Sequence, residues 1–278
     1  MVLMVGIINR FANILPIMQI HKSIASSFPN APIEFSICTI VNKLDEYQLM
    51  KQRFEACGFA DNCEYLMADN TQGNQYDAYQ AINIFLQQAA GRYIILTHQD
   101  VRCIDPIAIL QKNLQSLTEI DAAWALCGNA GGNGYHNIYY HLTNNGNIRK
   151  TSGLPLKVTS LDENFIVIKK AANLAVSSAV KGFHLYGTDL CLVADFLGYT
   201  AYVIPFMVDH LSLGNLSDLK KYTANYITAY GTKYNSRFIQ TPATKFYLGN
   251  NSFENKLYNA PVVFIFIKWM QRIKNIFR

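Results

Sequence analysis

Hydrophobic and polar positions in the first hundred residues repeat with two periods that take turns. Behind Pro32, residues 33–41 are rich in β-branched and aromatic side chains and predict a strand. Asn42 and Asp45 offer caps for a helix reaching about Phe54, and Gly58 closes it. Residues 64–68 predict a second strand, ending at Asp69-Asn70. A polar loop then leads into a helix over residues 76–90, stopped by Gly91. Tyr93–Thr97 is apolar and predicts a third strand, ending in His98-Gln99-Asp100. Strands that alternate with helices in this way predict βαβ units and a mostly parallel central sheet flanked by helices. Ligands of such sheets bind beyond the carboxyl ends of the strands. Asn42, Asp69 and His98 to Asp100 all fall at such ends, so polar clusters distant in sequence are expected to meet on one edge.

Further along, Asp105-Pro106 predicts a helix start, with a capping side chain before Pro at the first helical position. That helix runs to about Leu117, and residues 122–127 predict a strand. Residues 128–134 read as a Gly- and Asn-rich loop, and the stretch to Gly153 as irregular. Residues 158–168 predict a turn and a strand, 170–180 and 188–197 helices, and 200–208 a strand ending in Asp209-His210. Residues 1–32 read as an apolar or amphipathic leading segment, helical around 14–25. The pattern divides the chain into a body, 1–214, and a helical tail, 215–278.

Half the residues are apolar and 15% are charged, which favours a large core and excludes disorder. The net charge of +5 is uneven. The tail carries ten Lys and Arg against Asp218 and Glu254, so the body is slightly acidic. A basic tail suits an anionic surface. Within it, residues 260–278 hold four basic residues and no acid, and read as a basic amphipathic helix lying in a membrane plane or docked on the core. No recognition motif for nucleic acid accompanies the charge. Six cysteines without metal spacing read as buried thiols in a reducing compartment. The first residues lack the basic start and cleavage site of a secretory signal. No run reaches the roughly 18–20 apolar residues of a membrane span. The expected location is the cytoplasm, with the chain peripheral at the inner face of the membrane.

The candidate chemistry lies at the strand ends. His98 and Asp100, one residue apart on an extended segment, project to the same side and can grip one cation. Imidazole tilts the choice towards Mn²⁺ over Mg²⁺. His210 could supply a third ligand, with Asp209 competing. Asp69 fits either a turn cap or a hydrogen-bond acceptor for a uracil or ribose. Asp189, near a helix start, fits either an N-cap or a general base. His184 and Tyr186 could line an acceptor side, and Asp162-Glu163 could bind acceptor hydroxyls or be solvated turn residues.

Gln80-Ala81-Ile82, then Ala89-Ala90-Gly91-Arg92 and the run Tyr93 to Val101, resemble family-2 glycosyltransferases with the GT-A fold. Their pattern is an Asn, an Ala-x-Gly, an apolar strand and an Asp-x-Asp. The His-Gln-Asp-Val form resembles a bacterial subgroup, as does Phe183 to Asp189 followed by Gly198-Tyr199 and His210-Leu211-Ser212. The resemblance covers about residues 33–214. Gln80 stands in place of the Asn, and His98 in place of the first Asp. It implies a nucleotide-diphospho-sugar transferase fold. Thr39, Val41, Asn42, Asp69 and Gln99 would contact the nucleotide-sugar, while His98, Asp100 and His210 would hold Mn²⁺ or Mg²⁺. Asp189 would be the base of an inverting reaction, with Asp162, Glu163, His184 and Tyr186 on the acceptor side. The expected activity is transfer of a sugar from a UDP-linked donor to a hydroxyl of a surface glycan or lipid-linked acceptor. The alternatives are an inactive membrane-associated scaffold and a sugar nucleotidyltransferase. The latter would need a Gly-rich loop after the first strand, which is missing.

Overall fold

The structure is a computed structural model and describes residues 33–212 and 217–276. The leading helix expected around 14–25 lies outside them. The described residues form one compact unit.

The first half follows the predicted alternation: β1 (Phe35–Val41), α1 (Leu44–Ala56), β2 (Cys63–Asp69), α2 (Ala78–Gln88), β3 (Tyr93–Thr97), β4 (Val101–Cys103), α3 (Ile107–Ile120) and β5 (Trp124–Gly128). Next come β6 (Ala130–Asn133), β7 (Asn137–Asn144), β8 (Asn147–Lys150), β9 (Leu156–Val158), β10 (Ser160–Leu161) and β11 (Phe165–Lys169). The chain closes with α4 (Tyr186–Phe196), β12 (Thr200–Val203), β13 (Val208–His210), α5 (Leu219–Tyr230), β14 (Arg237–Gln240), β15 (Lys245–Leu248), α6 (Ser252–Tyr258) and α7 (Pro261–Ile276).

A seven-stranded sheet runs β2-β1-β3-β11-β5-β12-β9. Five of its strands point one way, and β11 and β9 run against them. The fold is therefore mixed α/β, with helices on both faces of a central sheet. β3 is buried along its whole length, as a central strand covered on both sides must be. On one face α1 presents Tyr47, Met50 and Phe54, and α3 presents Leu110, Leu114 and Leu117, each a stripe at helical spacing. On the other, α2 and α4 cover the sheet. The Asp77 carboxylate caps α2 by accepting from the backbone N–H groups of Tyr79 and Gln80.

A second sheet runs β10-β6-β7-β13-β4 with β8 paired to β7, and its strands β6, β7 and β8 occupy the stretch read as loop and irregular. Its hairpin turns at Asn145-Gly146, both with positive φ, the geometry an Asn-Gly turn favours. The strand expected over 200–208 is two strands in two different sheets, broken around Pro205. The helix expected over 170–180 is one 3-10 turn, Lys170–Ala172, followed by irregular chain. Asp105 does not cap α3. Its carboxylate accepts from Met207 N at 2.8 Å, tying α3 to the start of β13. Residues 217–276 are not a purely helical appendage. They include the β14–β15 hairpin, and Leu219, Tyr226, Ile239, Phe246 and Leu248 are buried in the main core.

Candidate active site

Two crossings of the chain build the site. β3 ends the first sheet at Thr97, and the chain turns through His98-Gln99-Asp100 straight into β4 of the second sheet. β13 runs antiparallel to β4 with His210 opposite Val101, and Leu211 N donates to Asp100 O at 3.1 Å. His210 thus comes beside Asp100 although 110 positions separate them. Meanwhile β11 runs antiparallel to β3 with Phe165 opposite Thr97. That register sets the loop 162–164 against the same strand end, and His98 N donates to Asn164 O at 3.2 Å.

One ligand atom from each of His98, Asp100 and His210 lies within 4.8 Å of the others. The two imidazole rings are 5.5 Å apart. His210 Nε2 is 3.6 Å from Asp100 Oδ1, an ion-pair distance too long for a hydrogen bond, and it has no hydrogen-bond partner among the described residues. The Tyr186 hydroxyl spends its proton on the Glu163 carbonyl at 3.1 Å. Towards His98 Nε2, 3.0 Å away, it therefore accepts. Nε2 then carries the His98 proton, which leaves Nδ1 with the lone pair a cation requires. Burial, and then the His210 charge, hold the His98 pKa below its ordinary value. Burial works against the Asp100 anion, but the His210 and Ser212 side chains outweigh it and keep Asp100 ionised. Burial likewise lowers the His210 pKa, and Asp100 more than restores it. A half-buried carboxylate beside two imidazoles, one with an orphan nitrogen, is a donor set suited to Mn²⁺ or a similar divalent ion.

These residues lie on the wall of a cleft of about 650 Å³, a size suited to a nucleotide-bearing ligand. Asp162, Glu163, His184 and Tyr186 line it as well. Gly187 makes this possible: a Cβ there would sit 2.5 Å from Leu161 O, so only glycine lets α4 approach the 161–163 loop so closely. Glu163 Oε2 is 4.0 Å from His184 Nδ1, and Oε1 accepts from Gly187 N at 3.4 Å. Burial, reinforced by Asp162, pushes the Glu163 carboxyl up to about 8.

The structure does not set every expected residue free on the cleft wall. Thr39 and Val41 are buried and do not line the cleft. Side chains alternate along β1, so Cys38, Ile40 and Asn42 face it instead. Asp69 is exposed and turned into its own loop, where Oδ1 accepts from Thr71 N and Thr71 Oγ1, while its neighbour Asn70 lines the cleft. Gln99 reaches the wall with its amide already engaged. Oε1 accepts from Asn42 N and Lys43 N, and Nε2 donates to Asn42 Oδ1 and Glu46 Oε2. Asp189 is 0% exposed and its carboxylate accepts from Ser177 N, Ser177 Oγ and Tyr226 Oη, at 2.6–2.7 Å. It is an internal clamp and not a wall residue. Of Asp69, Asp100 and Asp189, only Asp100 lines the cleft.

Sequence reasoning missed Asn144, Arg149 and Asn164, all on the wall. The first two flank the Asn145-Gly146 turn, and alternation over 137–144 with that dipeptide marked a hairpin. Nothing in the sequence marked Asn164, whose buried Oδ1 has no partner among the described residues.

Fold and site define an α/β protein with a cation-competent His-Asp-His cluster at the strand-end rim of a deep cleft. No family model matches the chain. It belongs to the same family as the protein named ATP synthase subunits region ORF 6 of Fuscovulum blasticum. The two are 35% identical over 186 residues, which span 63% of this chain and 74% of that one. That name states a region and no activity. Among solved structures, the chain is similar to GalNAc-T7 with UDP, GalNAc and Mn²⁺ (10% identity, 72% of this chain and 48% of that one, TM-score 0.46). It is also similar to S. aureus TarS 1–349 (8%, 73% and 76%, 0.41) and to A197 from STIV (14%, 65% and 86%, 0.41). Overlaps this partial carry no argument about chemistry.

Proposed function

We propose that the chain is an inverting glycosyltransferase that takes a sugar from a UDP-linked donor to an acceptor hydroxyl, on a surface glycan or lipid-linked glycan. The observation that carries this reading is the His98–Asp100–His210 cluster on the wall of a cleft that also holds Glu163. The cluster suits a diphosphate, and the Glu163 carboxylate on the same wall suits a hydroxyl losing its proton.

Bound there, Mn²⁺ or Mg²⁺ would neutralise the diphosphate as it leaves. His98, Asp100 and His210 would hold it, and Tyr186 fixes the His98 tautomer that makes this possible. Asn42, braced by Gln99, and Asn70 offer polar contacts to the nucleotide side of the cleft. Asp162, His184 and the unpartnered Asn164 Oδ1 would orient the acceptor. Glu163 would take the acceptor proton as that oxygen attacks the anomeric carbon and the bond to the diphosphate breaks. With its carboxyl pushed up to about 8, the ionised fraction of Glu163 is a strong base, and that fraction grows as pH rises towards 8. Asp189, sealed behind the wall, would hold α4 in place.

A thermal-shift panel of nucleotide-sugars with and without Mn²⁺ tests this. The reading expects selective, metal-dependent stabilisation by one donor class, lost in Asp100→Ala. Equal shifts in wild type and mutant would remove the cluster from donor binding.

A further inference from the structure

α7 is held to the body by one side. Tyr135 Oη donates to Phe264 O at 3.2 Å, and the Phe264 ring packs against Tyr135 and Phe238. The opposite side is apolar too, and it faces solvent. Val262, Ile265, Phe266 and Trp269 are 68%, 69%, 55% and 57% exposed, at the spacing of one helical stripe. Phe253 and Leu257 on α6 add further exposed apolar surface. A helix apolar on both sides with only one of them buried marks an interaction surface.

Charge selects the partner. From residue 255 to 278 the sequence has five cations, Lys256, Lys268, Arg272, Lys274 and Arg278, and no acid. Along the sequence, Lys268, Arg272 and Lys274 alternate with the apolar residues of α7. A second copy seated on this face about a two-fold axis would set like charges against each other. Nucleic acid would leave the apolar stripe in water. No helix among the described residues is long and apolar enough to cross a membrane. We propose that α7 lies in the plane of an anionic lipid surface, with Val262, Ile265, Phe266 and Trp269 in the acyl boundary and the flanking Lys and Arg at the headgroups. This stands apart from the glycosyl-transfer reading and survives its failure.

The chain has two tryptophans, and Trp124 is buried, so a lipid-induced blue shift of emission reports Trp269. Full-length protein is mixed with vesicles of phosphatidylcholine alone or with roughly one-third phosphatidylglycerol, and scored by sedimentation and emission. Binding and a blue shift are expected only with the anionic vesicles. About tenfold loss is expected at high salt, and in a Val262→Ser/Ile265→Ser/Phe266→Ser variant with an unchanged melting point. No binding to anionic vesicles, or equal binding by the triple variant, overturns the proposal. So does a variant whose only effect is to turn a dimer into a monomer.

Discussion

Replacing Glu163 with glutamine keeps the shape of the side chain and removes its ability to ionise. In the folded chain burial pushes this carboxyl up to about 8, while its ordinary value is 4.5. Between those two values the folded state keeps a proton that the unfolded state releases. The neutral carboxyl therefore contributes fully below pH 4.5, and stability falls as pH rises towards 8. At about 1.36 kcal/mol per pH unit, that window is worth roughly 5 kcal/mol. His210, held above its ordinary value by Asp100, changes stability in the same direction, so the quantity to read is the difference between the two proteins. Urea unfolding with chelator present, at pH 5 and pH 9, measures it. Wild type and Glu163→Gln should be close at pH 5, and the variant should be the more stable by several kcal/mol at pH 9. A difference that stays constant with pH refutes the raised Glu163 carboxyl.

Other consequences are as specific. Asp189→Ala strands three donors on Ser177 and Tyr226 and should cost about 3–5 kcal/mol, read as a lower melting temperature. Asp189→Asn should reduce turnover less than about tenfold, and Glu163→Gln about a hundredfold or more, since only the second touches the cleft. The opposite ranking would return the base to Asp189. Gly132→Ala places a Cβ 2.0 Å from Gln240 O and should destabilise by about 1–3 kcal/mol, because backbone and not a flexible side chain must yield.

The fold was legible where one period dominates. Tyr93–Thr97 matches its prediction at both ends, because a fully buried strand leaves no other reading for five apolar residues. The second sheet was only partly legible, because β6 breaks that rule. β6 is Ala-Gly-Gly-Asn, and its glycines serve close backbone approach by Ser160 and Gln240, which pattern alone reads as loop. Residues 200–208 read as one strand because the switch between sheets leaves no mark beyond Pro205. In the site, His98, Asp100 and His210 were readable from strand ends. The facing of a side chain within an element was not. Thr39, Val41 and Asp189 lie on the core side of elements whose other side lines the cleft, and a one-residue offset decides which.

The central claim is that His98, Asp100 and His210 together hold one divalent ion where a nucleoside diphosphate docks. Electron paramagnetic resonance of Mn²⁺ titrated into the full-length chain with UDP present counts that ion directly. The account predicts one bound ion per chain in the wild type and a lost or much weakened site in both Asp100→Ala and His210→Ala. A wild type that leaves all the manganese free, or mutants that bind it as tightly, would contradict it.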